Sequence, residues 1–112
     1  MMYSKILKIL QDLIDHSHNK DELSYIFKTK THAIIVFQIF GNKRITYEDL
    51  CKNLIDVASR TTIQSILIEG VDRKYLVKEI NQKDKRKKYY NCDNLKAVIN
   101  EWFQRNKKIF NS

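Results

Sequence analysis

With 112 residues, 43% of them hydrophobic and 30% charged, the chain is long enough for one core, too short for two and too apolar to be disordered throughout. Its formal net charge of +8 is lopsided: residues 1–40 carry five lysines against four acids, and residues 41–112 sixteen basic against nine acidic residues. Such an excess in one half points to a polyanion partner such as nucleic acid, and with no unbroken apolar run longer than residues 33–37 a membrane-spanning helix is excluded.

Tyr3, Ile6, Leu7, Leu10, Leu13 and Ile14 recur at helical spacing and predict the apolar face of a first helix, within an N-terminal helical segment of residues 1–28. Lys5, Lys8, Gln11 and Asp12 interrupt the apolar residues, so no signal peptide is read here and a cytoplasmic protein is expected. Asp12, Asp15, His16, His18 and Asp21 crowd near the end of this helix, with Asp12 and His16 four residues apart. A metal centre would need a further ligand fixed from elsewhere, and none stands in ligand spacing. The cluster reads as a solvated helix end, with no metal and no cofactor expected.

Thr31 opens the next helix, residues 32–40, whose apolar residues lie nearly all round and predict a buried central element. His32, near its start, reads as a helix-end or core histidine. Gly41 is placed to close the helix in a left-handed cap, with Asn42 and Lys43 as turn residues. Ile45 then precedes Thr46-Tyr47-Glu48-Asp49, a Thr-x-x-acid pattern that marks a capped N-terminus. Tyr47, Leu50, Cys51 and Leu54 supply the apolar face of this short helix, and residues 53–57 form a turn into the next. Cys51 and Cys92, with forty residues between them, read as two buried thiols in a reducing compartment.

The chain is organised around residues 59–92. Ser59 can cap a helix, after which Ile63, Ile66, Leu67 and Val71 fall on one face and Arg60, Thr61, Gln64 and Ser65 on the other. Gly70 inside this helix marks close packing or an early end. Leu76-Val77-Lys78-Glu79-Ile80 and Lys88-Tyr89-Tyr90-Asn91-Cys92 are β-prone runs, and the residues between them are wholly polar and strongly basic. Two helices joined by a turn and followed by a hairpin with a basic tip predict a winged helix-turn-helix. The fold class expected is therefore mainly α with a small β-hairpin: one domain over residues 1–112, its core at 31–92 and its flanks at 1–28 and 93–112.

Asp93 caps the last helix, where Leu95, Val98, Ile99, Trp102, Phe103, Ile109 and Phe110 form an apolar stripe. The stripe is longer than a terminal helix of so small a domain requires. It is a candidate dimer interface, with packing against the first helix of the same chain as the alternative.

From Thr31 to Phe103 the chain resembles the MarR-type (multiple-antibiotic-resistance regulator) winged-helix transcription factors. The resemblance is carried by the helix ending in Gly41, the segment ITYEDLCKNL, the opening Ser59-Arg60-Thr61-Thr62-Ile63, the run Leu76-Val77-Lys78 and the tip Asp84-Lys85-Arg86. Tyr75 stands where the family often has glycine. The resemblance implies that Asp84 orients Arg86 into the minor groove, and that Arg60, Thr61, Gln64 and Ser65 contact bases or backbone.

The expected function is regulation of transcription through double-stranded DNA. The recognition helix contributes Ser59, Arg60, Thr61, Thr62, Gln64 and Ser65, and the wing Lys83, Asp84, Lys85, Arg86, Lys87 and Lys88. The alternative is a winged-helix module that docks on another protein through its apolar C-terminal helix. RNA binding fits the charge, but Tyr89 and Tyr90 share a strand on which at most one faces out, so no stacking platform is expected. No catalytic constellation and no glycine-rich phosphate loop occur, and an enzyme is not expected. The sequence names neither an operator nor a small-molecule effector.

Overall fold

The computed structural model describes residues 2–17 and 22–111. Helices α1 (Met2–Ser17), α2 (Glu22–Ile26) and α3 (Lys30–Gly41) come first, then strand β1 (Arg44–Thr46). Helices α4 (Tyr47–Asn53) and α5 (Arg60–Asp72) follow, then strands β2 (Val77–Ile80) and β3 (Lys88–Asn91). A single turn of tighter helix, Asp93–Leu95, leads into α6 (Lys96–Asn111). The chain is thus mainly helical with one small antiparallel sheet, as the sequence predicts. Among the described residues of 1–28, expected as one N-terminal helix, there are two helices.

The sheet has three strands rather than two, in the order β1-β3-β2. β2 and β3 form the expected hairpin, with Lys78 opposite Tyr90, and β1 adds to its other edge with Ile45 also opposite Tyr90. Ile45 and Tyr90 are both buried, so one face of the sheet closes onto the helices.

Two of the helix starts have the cap that the sequence predicts. The Thr46 hydroxyl accepts a hydrogen bond from Asp49 N at 3.1 Å, and Ser59 Oγ accepts one from Thr62 N at 3.1 Å. Each satisfies an amide that the first helical turn leaves without an intrahelical partner. Asp93 does not cap the last helix as expected: it opens the turn before α6, where Cys92 holds the cap position with no side-chain cap hydrogen bond. A further start is shifted. The cap of α3 is Thr29, not Thr31, because the Thr29 hydroxyl reaches both His32 N (3.1 Å) and His32 Nδ1 (2.7 Å). The end of α3 also differs, since Gly41 stays in the helix and the left-handed position falls on Lys43, with φ 67°.

The core collects Leu23, Tyr25 and Ile26 from α2, Ile35, Val36 and Ile39 from α3, and Leu50 from α4. Ile63 and Leu67 of α5, with Leu76, Leu95 and Ile99, also belong to it. Gly70 is there for close packing and not as a stop, as α5 runs on to Asp72. A methyl group at Gly70 would lie 2.6 Å from Leu76 Cδ1 and would strike the Tyr25 hydroxyl. Tyr25 holds its place by donating to Ile66 O at 2.9 Å and by ring contacts with His32 and Tyr75. Tyr75, at the position where the resembled family often has glycine, is therefore part of the packing.

The terminal helices depart most from expectation. Tyr3, Ile6, Leu7, Leu10, Leu13 and Ile14 are all exposed, from 37% at Leu13 to 82% at Tyr3. The edge that α1 turns toward α6 carries Lys5, whose Nζ donates to Phe110 O, and Asp12, paired with Arg105 at 2.8 Å. Leu95, in the turn before α6, and Ile99 on α6 belong to the core of their own chain, while Val98 and Trp102 pack against it. Trp102 stacks with Phe27 and Phe37. Of the stripe expected on this helix, only Phe103 and Phe110 are largely exposed, with Ile109 half-buried.

Candidate nucleic-acid interface

The buried face of α5 fixes which of its residues meet solvent. With Ile63, Ile66, Leu67 and Gly70 packed inward, Arg60, Thr61, Thr62, Gln64 and Ser65 are exposed along the outer face. Ser59 is exposed as well, and its hydroxyl also donates to Thr62 Oγ1 at 3.0 Å.

The β2–β3 hairpin carries the basic loop. Asn81 Oδ1 accepts from Lys83 N at 2.9 Å, Asn81 N donates to Lys87 O at 3.0 Å, and Lys87 N donates to Asp84 O at 3.0 Å. These bonds give the loop a defined course without an apolar residue. Asp84 Oδ1 accepts from Arg86 N (3.1 Å) and from Arg86 Nε (3.3 Å), so the acid grips its neighbour's backbone and side chain together. The Arg86 side chain is otherwise 93% exposed. Lys83, Lys85, Lys87 and Lys88 are exposed around it.

Parts of the two surfaces meet at a groove of about 560 Å³. Gln64 of α5, Lys78, Arg86, Lys87 and Lys88 of the hairpin, and residues 46–49 at the start of α4 line it. Tyr89 and Tyr90 both line the groove; Tyr89 is half-buried, with the Arg44 guanidinium 4.6 Å from its ring centre, and Tyr90 is buried. At most one tyrosine faces out, as alternation along a strand requires.

Glu48, in the first turn of α4, was not among the residues expected at this site. Its carboxylate accepts from both terminal nitrogens of Arg60, at 3.2 and 3.4 Å. That pairing pushes the guanidinium pKa up, so Arg60 is cationic at any working pH. Tyr47 lies beneath, its ring centre 5.9 Å from the guanidinium carbon and its hydroxyl donating to Arg60 O at 3.4 Å. The Thr-x-x-acid pattern marks Glu48 as a first-turn acid, but no local spacing reveals that it meets Arg60 on the following helix.

Away from the groove, Glu69 joins α5 to the helices behind it. His32 Nε2 lies 3.1 Å from Glu69 Oε1, and Lys28 Nζ 3.0 Å from Oε2. Burial pushes the Glu69 carboxyl pKa up, but the hydrogen bonds from His32 and Lys28 outweigh it and hold the group below the usual glutamate range. His32 is thus a buried helix-end histidine. Among the described residues no three His, Cys, Asp or Glu side chains converge as metal ligands would. His18 and Asp21, and the His16 side chain, lie outside what is described. Both cysteines are buried and unpaired, and among the described residues no helix is long and apolar enough to cross a membrane.

No family model, curated protein or solved structure matches the chain.

Proposed function

We propose that this protein is a winged helix-turn-helix regulator of transcription that binds double-stranded DNA. One observation carries the reading: Gln64, on the polar face of α5, lines the same groove as Arg86, Lys87 and Lys88 of the basic hairpin. A helix with an exposed polar face suits the major groove, and a neighbouring basic hairpin suits the adjacent phosphates and minor groove. Thr61, Gln64 and Ser65 then meet base edges. Lys83, Lys85, Lys87 and Lys88 neutralise phosphates, and Arg86, oriented by Asp84, enters the minor groove.

The proposed active form is a two-fold dimer through α1. Tyr3, Ile6, Leu10 and Leu13 occupy the first and fourth places of two successive heptads, with Leu7 and Ile14 beside them, so the exposed stripe complements a copy of itself. With the two copies antiparallel, the middle of each stripe meets the middle of the other. The contact is thereby proposed on α1 and not on α6, where the sequence suggests it.

Fluorescence anisotropy of a labelled random-sequence duplex at several salt concentrations tests the DNA reading. With about six phosphates contacted, affinity falls roughly a thousandfold between 50 and 200 mM salt. No binding at 50 mM salt overturns the reading and transfers the function to protein docking through the apolar terminal helices.

A further inference from the structure

Arg60 stands at the first position of α5, where the reading above puts DNA, yet a carboxylate already holds it. Both oxygens of Glu48 face both terminal nitrogens of the guanidinium, at 3.2 and 3.4 Å, and both side chains are mostly exposed. The first turn of α4 favours an acid through the helix dipole, but the dipole does not require that acid to engage an arginine on the next helix by two points. An acid on a phosphate-facing surface also repels the polyanion. The pair therefore needs an account that helix capping does not give.

We propose that Glu48 is a specificity-determining residue that withholds Arg60 from phosphate and reserves it for a base edge. The inference rests on the DNA-binding reading. A guanidinium has five N–H donors, so with two terminal nitrogens turned to Glu48 it still has hydrogens to offer. Guanine O6 and N7 form a neutral two-acceptor edge that can share the guanidinium with the carboxylate, or replace it in the same bidentate geometry. A phosphate approaching Arg60 brings a second negative charge against Glu48. Non-specific DNA therefore gains little from this arginine, whereas a site with guanine in register gains a full contact. Tyr47, beneath the guanidinium and bonded to the Arg60 carbonyl, keeps the pair at the α4–α5 junction.

The test compares wild type, Glu48→Gln, Arg60→Gln, the double variant and Asp56→Asn on a labelled random-sequence duplex from 50 to 200 mM salt. Asp56, in the turn before α5, is an exposed acid that does not pair with Arg60, so its variant makes the same charge change elsewhere. Glu48→Gln is expected to bind the random duplex roughly threefold more tightly, the scale of releasing one exposed ion pair. Its logarithmic salt slope steepens by about 0.9, one more phosphate neutralised. The double variant falls back to Arg60→Gln, and Asp56→Asn leaves the slope unchanged. In selection from a random-sequence library, wild type enriches duplexes with a fixed guanine, and Glu48→Gln enriches them less.

An unchanged Glu48→Gln overturns the proposal while leaving the DNA reading intact. So does a gain that survives in the Arg60→Gln background, or one that Asp56→Asn reproduces. Wild type that fails to bind duplex at 50 mM salt overturns both.

Discussion

His32 Nε2 lies 3.1 Å from Glu69 Oε1, which ties the start of α3 to the second half of α5. A carboxylate can only accept, so Nε2 carries the proton, and Thr29 Oγ1, 2.7 Å from Nδ1, completes the ring's partners. Lys28 at 3.0 Å and Arg73 at 3.6 Å add to the positive field around the carboxylate.

Glu69 therefore gives the fold an acid sensitivity of known sign. Burial raises its pKa, but the bonds from His32 and Lys28 prevail and the folded value lies below the unfolded one. The stabilisation is complete above the unfolded-chain value of about 4.3 and is lost as pH falls through the folded value. Glu69→Gln should lower the thermal midpoint at pH 7, and its deficit against wild type should shrink below about pH 4. Circular dichroism melts of both proteins across that range check it; a deficit independent of pH would assign the effect to packing.

The two glycines should respond oppositely to alanine. At Gly70 the added methyl meets Leu76 Cδ1 at 2.6 Å and the Tyr25 hydroxyl, and Tyr25 is fixed by its bond to Ile66 O. Overpacking there should cost about 1–3 kcal/mol, more than the roughly 1 kcal/mol that helix propensity returns. At Gly41 nothing lies within 4 Å and φ is not positive, so Gly41→Ala should be neutral or stabilising by about 0.5 kcal/mol. Urea midpoints of the two variants measure both signs.

What the sequence made legible was what local spacing encodes. Thr46 and Ser59 cap helices through hydroxyl-to-amide bonds three residues on, and Ile63, Ile66 and Leu67 mark an inward face by period alone. Strand β1 was not legible: three residues are too few to show alternation, and its partner lies at the far end of the hairpin. Thr29 and Thr31 are equivalent as caps in sequence, and the choice between them follows from the His32 ring. Periodicity found the apolar face of α1 but cannot say what it faces, and in the folded chain it faces solvent. At the groove, the polar residues of α5 and the loop cations could be read from sequence. Glu48 on Arg60, twelve residues apart on separate helices, could not.

Asp84 offers a test in which two explanations differ in sign. If the hairpin loop acts only through net charge, removing an acid should tighten DNA binding. If Asp84 orients Arg86 through its bonds to the Arg86 amide and Nε, Asp84→Ala should weaken it. The second outcome is expected, with a loss smaller than that of Arg86→Ala, in random-duplex anisotropy at 100 mM salt. Tighter binding by Asp84→Ala would leave Arg86 without an orienting partner in the mechanism.

Cys92 should be chemically silent in the folded protein. Burial, with Asp93 adding to it, pushes its thiol up to about 11, so almost no thiolate forms near neutrality. Iodoacetamide at pH 8 should leave Cys92 unmodified by mass spectrometry in buffer and modify it in urea. Rapid labelling in buffer would mean that the segment after β3 opens far more readily than the burial of Cys92 implies.

The α1 stripe should decide the oligomeric state. Leu7 and Leu10 are 62% and 47% exposed, so a charge there costs the fold of one chain little. In the antiparallel pairing Leu10 lies near the middle of the contact, and Leu10→Glu in both copies would bury two like charges without partners, which is strongly unfavourable. Wild type should show by light scattering a mass twice the 13.4 kDa of the chain, and Leu10→Glu the mass of one chain with an unchanged circular dichroism spectrum. Phe103→Glu on α6, away from the proposed contact, should weaken the dimer less. Should Phe103→Glu dissociate the dimer while Leu10→Glu does not, the contact lies on α6 after all. A wild type of one chain's mass at tens of micromolar would remove the dimer and leave each hairpin and α5 to bind DNA alone.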